Sequence, residues 1–366
     1  MTITFIVLSI FAVGGYSFMQ QKQFGASPKG ERLERILASK NYKNGAFQNL
    51  SETPVMTNDG SLFAVMKQYL KKVEGKEPTE NLPSIKTNLK QLPDDTLPQL
   101  IWFGHSSYLI KIGGKIILVD PVFSGNASPV SFFAKNYKGS NIYSVDDLPE
   151  LDIVLITHDH YDHLDYKTIT QLKQKTKHFV TSLGVGAHLE YWGVETSKIT
   201  EFDWWQQQEV LPGMSFAATP ARHFSGRKFK RGETLWASYI LTFNGYKLYL
   251  GGDSGYDTHF KEIGEKYGPF DLAILECGQY NKFWSNIHMA PEETVKAATD
   301  LNAKVFFPVH NSKFSLALHG WKEPLDSVAK VAKSSQKPFI TPQIGEVTKL
   351  NSSNTYEQNN WWTTAK

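Results

Sequence analysis

Three textures follow one another along the chain. No charged side chain interrupts Thr2–Phe18 (TITFIVLSIFAVGGYSF), a run at the short limit of what crosses a bilayer. Residues 19 to about 97 are polar and broken by Pro28, Pro54, Pro78, Pro83 and Pro93, with Pro98 just beyond and helical spacing only at Gly30–Ser39 and Ser61–Val73. From residue 100 onward short apolar stretches recur. Leu100–Phe103, Ser107–Ile112 and Lys115–Val119 read as successive strands, the last two joined by a Gly113-Gly114 hairpin turn. Asp152–Thr157 (DIVLIT) is apolar without alternation, the pattern of a strand covered on both faces. Further strands are predicted at Ser215–Thr219, Ser238–Phe243, Lys247–Leu250, Leu272–Glu276 and Val305–Val309. Helices are predicted at Tyr166–Lys175, Thr258–Tyr267 and Pro291–Leu301. Strand-rich stretches alternating with helices define an α/β class, two packed sheets with helices outside. The chain divides into a membrane anchor or signal segment (1–20), an extension wrapping the core (21–97), a main domain (98–350) and a polar tail (351–366).

The first basic side chains, Lys22, Lys29, Arg32 and Arg35, follow the apolar run. By the positive-inside rule this places the body on the cytoplasmic side of a retained anchor. A cleaved signal would want a basic start and a small-x-small site, and neither is clear. An exported form and a merely buried N-terminal segment are the alternatives. Apolar residues make up 41% and charged residues 20%, which excludes a disordered chain. A net charge of +3 without a long basic run gives no reason to expect a nucleic-acid partner. Cys277 is the single cysteine, so neither an internal disulfide nor a cysteine-rich zinc site is available. Histidine and carboxylate must therefore carry any metal chemistry, and the 11 histidines fall between His105 and His319. Nothing in the sequence sets the oligomeric state.

His158-Asp159-His160-Tyr161-Asp162-His163 follows DIVLIT directly. Adjacent ionisable groups at the end of a buried strand carry a heavy desolvation cost unless paired or bound to metal. Imidazole and carboxylate are natural ligands for zinc-like ions. If the chain leaves the strand extended, His158 and His160 point the same way. If it then curls, Asp162 and His163 turn to a second point, so one loop can feed two ions. More ligands are needed, and His223, Asp253 and His310 each lie just beyond a predicted strand, with His288 ending a loop. Each alone is as well explained by turn or hydrogen-bond chemistry; their value lies in co-occurring with the hexapeptide.

HDHYDH is the H-x-H-x-D-H signature of the metallo-β-lactamase superfamily, and His223, Asp253 and His310 follow in the order used there. Asp120–Ser124, Asp203-Trp204-Trp205, Gly252–Tyr256, Tyr267–Ala273, His288-x-x-Pro291-Glu292-Glu293 and Phe314–Ala317 resemble the branch of N-acyl-phosphatidylethanolamine-hydrolysing phospholipases D. The resemblance spans roughly residues 100–330. It implies a four-layer αβ/βα sandwich with two Zn2+ at one edge, Mn2+ or Fe being possible substitutes. His158, His160 and His223 would hold one ion, Asp162, His163 and His310 the other, and Asp253 would bridge. Asp120 would orient a ligand histidine, His288 would serve substrate or proton transfer, and His105 either lines the site or is structural. The reaction implied is attack of a metal-bridging hydroxide on a phosphodiester, with Asp162, Asp253 and His288 as catalytic residues and a phospholipid as substrate. The alternatives are a lactonase or other carbonyl hydrolase, and a non-catalytic membrane-anchored metal-binding protein. His310-Asn311-Ser312 and Glu276–Asn281 depart from the animal phospholipase pattern, and Glu276–Asn281 is closer to that of bacterial relatives.

Overall fold

Successive side chains along the strands enter two different cores, and that alternation sets the layers. The structure, a computed structural model, describes residues 13–57, 61–71, 73–351, 356 and 359–366. A two-stranded hairpin in the extension, β1 (Tyr42–Lys43) and β2 (Ala46–Phe47), precedes two large sheets. The first sheet comprises β3 (Gln99–Trp102), β4 (Tyr108–Ile112), β5 (Lys115–Val119), β6 (Leu151–Ile156), β7 (Thr176–Ser182) and β8 (Ile199–Phe202), with β15 (Val347–Lys349) at its other edge. Its order is β15-β3-β4-β5-β6-β7-β8, antiparallel as far as β5 and parallel from β5 to β8. The second sheet comprises β9 (Gln207–Leu211), β10 (Met214–Thr219), β11 (Ser238–Phe243), β12 (Tyr246–Leu250), β13 (Leu272–Glu276) and β14 (Phe306–Val309). Its order is β14-β13-β12-β11-β10-β9, and it too turns from antiparallel to parallel, at β12.

All of β6 is buried, as DIVLIT predicts. Ile153 and Leu155 enter the large core shared with the second sheet, whereas Val154 and Ile156 face Ile169, Leu172 and Leu189 on the helices Tyr166–Leu172 and Gly186–Tyr191. The second sheet is covered by His259–Tyr267, Pro291–Asp300 and Glu323–Ser334, which contribute Phe260, Val295 and Val328 to the same core. The result is the expected four-layer sandwich. Predicted strands and helices recur with their ends unchanged or shifted by no more than three residues, except that the helix at Ser61–Val73 contracts to Leu62–Tyr69, with Ser61 accepting from the Ala64 N–H as its cap.

Elements that the pattern does not announce are β7, β8, β9, β15, Gly186–Tyr191 and Glu323–Ser334. β9 reads QQEVL and is exposed over its first three positions, so pairing with β10 rather than its side chains makes it a strand. Residues 351–366, expected as a polar tail, end in the helix Trp361–Thr364, whose two indoles are buried. Trp362 Nε1 donates to Asp326 Oδ1 at 2.8 Å and Trp361 packs 6.4 Å from Trp102. A tail of mixed polarity is thus fastened by its aromatic doublet. Most of the expected amino-terminal anchor, residues 1–12, lies outside the described residues; residues 13–19 are helical, and among the described residues no helix is long and apolar enough to cross a membrane.

The extension is tied down by charge. Arg32 donates through Nη1 to Glu190 and through Nε to Glu201, each at 2.7 Å. Trp362→Ala removes a buried aromatic from the far end of the same core. The expected loss is about 3–5 kcal/mol of unfolding free energy, read from chemical denaturation monitored by far-UV circular dichroism; a loss below about 1 kcal/mol would show that the tail is not fastened as described.

Candidate metal centre

Every predicted site residue except His288 sits at or just beyond the C-terminal end of a strand, where a rigid sheet presents flexible loops. The hexapeptide leaves β6 extended and then closes a turn, with the His163 and Leu164 N–H groups donating to the His160 carbonyl. Its members alternate. His158, His160 and Asp162 face inward; Asp159 and Tyr161 face away and anchor the loop. Asp159 accepts from Gly226 N at 2.7 Å, Thr234 Oγ1 at 3.0 Å and His188 Nε2 at 3.2 Å, while Tyr161 donates to the Arg227 carbonyl.

The inward groups form two overlapping donor sets. In the first, His160 Nδ1 lies 3.0 Å from His158 Nε2 and 3.2 Å from His223 Nε2, and Asp253 Oδ2 lies 3.8 and 3.7 Å from the same two Nε2 atoms. In the second, His310 Nε2 lies 3.3 Å from both Asp162 Oδ2 and Asp253 Oδ2, and His163 Nε2 lies 3.2 Å from Asp253 Oδ1. Asp253 therefore belongs to both. His105 joins the second set, and His288 forms a further triad with Asp253 and His310.

Hydrogen bonds around the rings decide which nitrogen each one offers. Asp120 accepts the Thr157 N–H at 2.8 Å, the Thr157 hydroxyl at 2.7 Å and His163 Nδ1–H at 2.7 Å. The Thr157 hydroxyl proton is thereby used, so its oxygen accepts from His158 Nδ1 at 3.0 Å. His223 Nδ1 donates to the Ile287 carbonyl at 3.0 Å. All three rings are fixed with Nδ1–H turned outward and Nε2 turned toward the donor sets. Asp120 thus orients a histidine of each set, one directly and one through Thr157. His105 Nε2 donates to Asp162 Oδ2 at 3.0 Å; its burial holds the ring neutral, with a pKa lowered to about 3. It therefore orients a carboxylate. Asp120, His105 and His310 all adopt left-handed backbone, with φ of 41°, 56° and 69°, conformations that non-glycine residues hold only when their surroundings impose them. The His310 carbonyl oxygen packs onto Gly278, where a Cβ would come within 1.7 Å of it.

The donors fit a pair of divalent cations. His163 Nε2 and Asp253 Oδ1 are buried without a hydrogen-bond partner, although each faces the other donors; acceptors packed this way are tolerated when a cation lies among them. Burial, reinforced by the neighbouring imidazoles, pushes His158 and His223 well below the ordinary histidine range, keeping them neutral. Burial alone would raise the Asp162 and Asp253 carboxyls, but His163 and other imidazoles outweigh it and hold both well below the ordinary carboxylate range. Burial likewise opposes protonation of His310, yet Asp253, Asp162 and Glu276 lift it to about 9. A nitrogen and oxygen donor set without sulfur suits zinc-like ions, manganese or iron.

Several participants escaped sequence reasoning. Thr157 and Glu276 are the final polar residues of apolar runs, and that position was their only signal. The extension supplies others. Asn49 Nδ2 donates to the His223 carbonyl at 2.7 Å while its Oδ1 accepts the His223 N–H at 3.0 Å. Arg222 Nη2 donates to the Glu52 carbonyl, and Asn286 Nδ2 to that of Pro54. Val55 and Met56, held by this strap, line a cavity of about 200 Å³ over the donors, with Phe224, Trp284, Ile287, Leu316 and His288.

The sequence profile of the β-lactamase superfamily domain matches residues 115–311. The Mycobacterium tuberculosis protein Rv0906 is 36% identical over 88% of this chain and 87% of its own length. N-acyl-phosphatidylethanolamine-hydrolyzing phospholipase D 1 of Caenorhabditis elegans is 29% identical over 82% of this chain and 90% of its own length. Among solved structures, Igni18, a metallo hydrolase from Ignicoccus hospitalis, superposes with a TM-score of 0.55 at 22% identity, over 70% of this chain and 99% of that one. The chain belongs to the β-lactamase superfamily. Within it, this is a metal-dependent hydrolase with the metallo-β-lactamase fold, related to the phospholipases D that hydrolyse N-acyl phosphatidylethanolamine.

Two outcomes check the centre. Asp120→Ala frees the rings of His163 and His158, and zinc affinity is expected to fall about 10–100-fold in competition with a chromophoric chelator; unchanged affinity would remove Asp120 from the design. His310 keeps its proton below a pH of about 9 in the metal-free protein, and a ligand must give up its proton to bind. Zinc uptake at neutral pH should therefore release protons and tighten as the pH rises toward that value. Calorimetry in two buffers of different ionisation enthalpy reads the release.

Proposed function

We propose that the chain is a dinuclear phosphodiesterase acting on a phospholipid, in the manner of an N-acyl phosphatidylethanolamine phospholipase D. The observation that carries this reading is the pair of donor sets sharing Asp253 beneath an apolar cavity. His158, His160 and His223 would hold one Zn2+ and Asp162, His163 and His310 the other. Such a pair supplies Lewis-acid charge for a phosphoryl oxygen and water acidified toward neutrality. The chain's own residues set the rest. Asp253, common to both sets, fixes their separation. Asp162, steadied by His105, keeps its carboxylate toward the second set. His288, on the cavity wall, is placed to donate to a phosphate oxygen or to the departing alcohol. Val55, Met56, Trp284 and Leu316 exclude water and accept the apolar part of a lipid. The apolar amino-terminal segment would hold the enzyme at the membrane that contains its substrate, with the catalytic domain on the cytoplasmic side.

The test is hydrolysis by the zinc-loaded chain of a panel of phospholipids, N-acyl phosphatidylethanolamine included, beside a panel of lactones. Release of the headgroup alcohol is expected, with lactones turned over at least about 100-fold more slowly. His160→Ala and Asp253→Ala are expected to abolish turnover while far-UV circular dichroism stays unchanged. Preference for the lactones would reassign the centre to carbonyl chemistry, and near-normal rates in either variant would overturn the site.

A further inference from the structure

Glu276, the last residue of β13, is 1% exposed. A carboxylate buried to that degree needs partners. Its Oε1 accepts the backbone N–H of Met289. Its Oε2 has no hydrogen-bond partner of good geometry, yet it lies 3.5 Å from Nδ1 of His310 and 3.6 Å from Nδ1 of His288. Those two nitrogens are themselves buried and unpartnered. Three orphaned polar atoms therefore share one small region. The two rings lie stacked, centroids 5.2 Å apart and planes 23° from parallel, so both present the same edge to the same oxygen. A carboxylate oxygen has two lone pairs and can accept from both rings at once. His310 then offers Nε2 to Asp162 and Asp253, and His288 keeps its other nitrogen for whatever enters the cavity it lines.

We propose that Glu276 is a positioning residue shared by two imidazoles, accepting Nδ1–H from His310, which faces the second cation position, and from His288, which faces the substrate, so that filling that position and setting His288 are coupled. This rests on the metal-binding reading and not on the identity of the substrate. The physical route is short. With its Nε2 engaged by a cation, His310 would become a stronger donor through Nδ1–H and its bond to Glu276 would tighten. The Met289 N–H holds the other carboxylate oxygen, and Met289 directly follows His288, so the carboxylate and the His288 ring settle together.

Glutamine at 276 is the discriminating change. It keeps the size, but one of its two arms becomes a donor. That arm faces either the Met289 N–H or the two Nδ1–H groups, and each choice leaves one contact wrong. Four full-length proteins are compared: wild type, Glu276→Gln, His288→Ala and the double variant. Zinc is titrated against a competing chelator, and bis(4-nitrophenyl) phosphate is hydrolysed at saturating zinc. One of two zinc equivalents is expected to weaken about 10–100-fold in Glu276→Gln and neither in His288→Ala. At saturating zinc, Glu276→Gln is expected to lower kcat about as far as His288→Ala with little change in KM, and the double variant to fall no further. Wild-type affinity for both equivalents in Glu276→Gln, or kcat losses that multiply in the double variant, would overturn the proposal. Nitrogen-15 histidine spectra of the zinc-loaded wild type provide a test that needs no variant. Both His288 and His310 should carry a proton on Nδ1, His288 with or without a second one on Nε2, and a His288 ring protonated on Nε2 alone would overturn the proposal even if Glu276→Gln fails to fold. If the wild type does not hydrolyse the phosphodiester, the phosphodiesterase reading fails, while the zinc titration and the spectra still decide the role of Glu276.

Discussion

Lone pairs cannot be crowded into a dry pocket without positive charge among them, and that constraint organises this molecule. Nitrogens of His158, His160, His163, His223 and His310 and oxygens of Asp162 and Asp253 converge beneath one cavity, and most of these side chains are inaccessible to water. Left to themselves they are held apart only by protons on His163 and His310, whose basicity the facing carboxylates raise. The sandwich is what makes such crowding affordable. Its two sheets, each turning from antiparallel to parallel, bring strand ends from both halves of the chain to one edge.

Around the donors runs a layer of groups that hold the donor side chains in place. Asp120 with Thr157, His105, the Ile287 carbonyl and Glu276 each settle the direction of an imidazole or carboxylate. This layer draws on both sheets, since Asp120 follows β5 and Glu276 ends β13. The rigidity needed to hold it is visible in the backbone. Asp120 and His105 in this layer, and His310 among the donors, sit in left-handed conformations, and Gly278 leaves room for the His310 carbonyl.

Much of this was legible in the linear chain, and the reason is local. DIVLIT declares a doubly covered strand by composition alone, and six polar residues directly after such a strand have little to do in a core. The downstream donors were legible only as a set, because a histidine after a strand is common. What could not be read was whatever depends on meeting across space. Asp159 looks like a donor by type, but alternation turns it toward His188 and Thr234. Glu276 looks like the polar end of LAILE, and only the second sheet shows it beneath two rings. The strands β7 and β9 carry lysine, histidine, glutamine and glutamate at exposed or edge positions, so pairing decides their state. The tail reads as polar by count, yet two indoles outweigh its other residues.

The amide clasp between Asn49 and the backbone of His223 separates two kinds of inheritance. The sheets and their loops carry the chemistry, and any change there disturbs several donors together. Val55 and Met56 belong to a strap that borders the same cavity without being built into either sheet. Replacing a few residues of that strap redraws the rim while the reactive floor stays as it was. The rim of the cavity is therefore open to change through a segment outside both sheets, one that a domain-trimming experimenter would be tempted to discard.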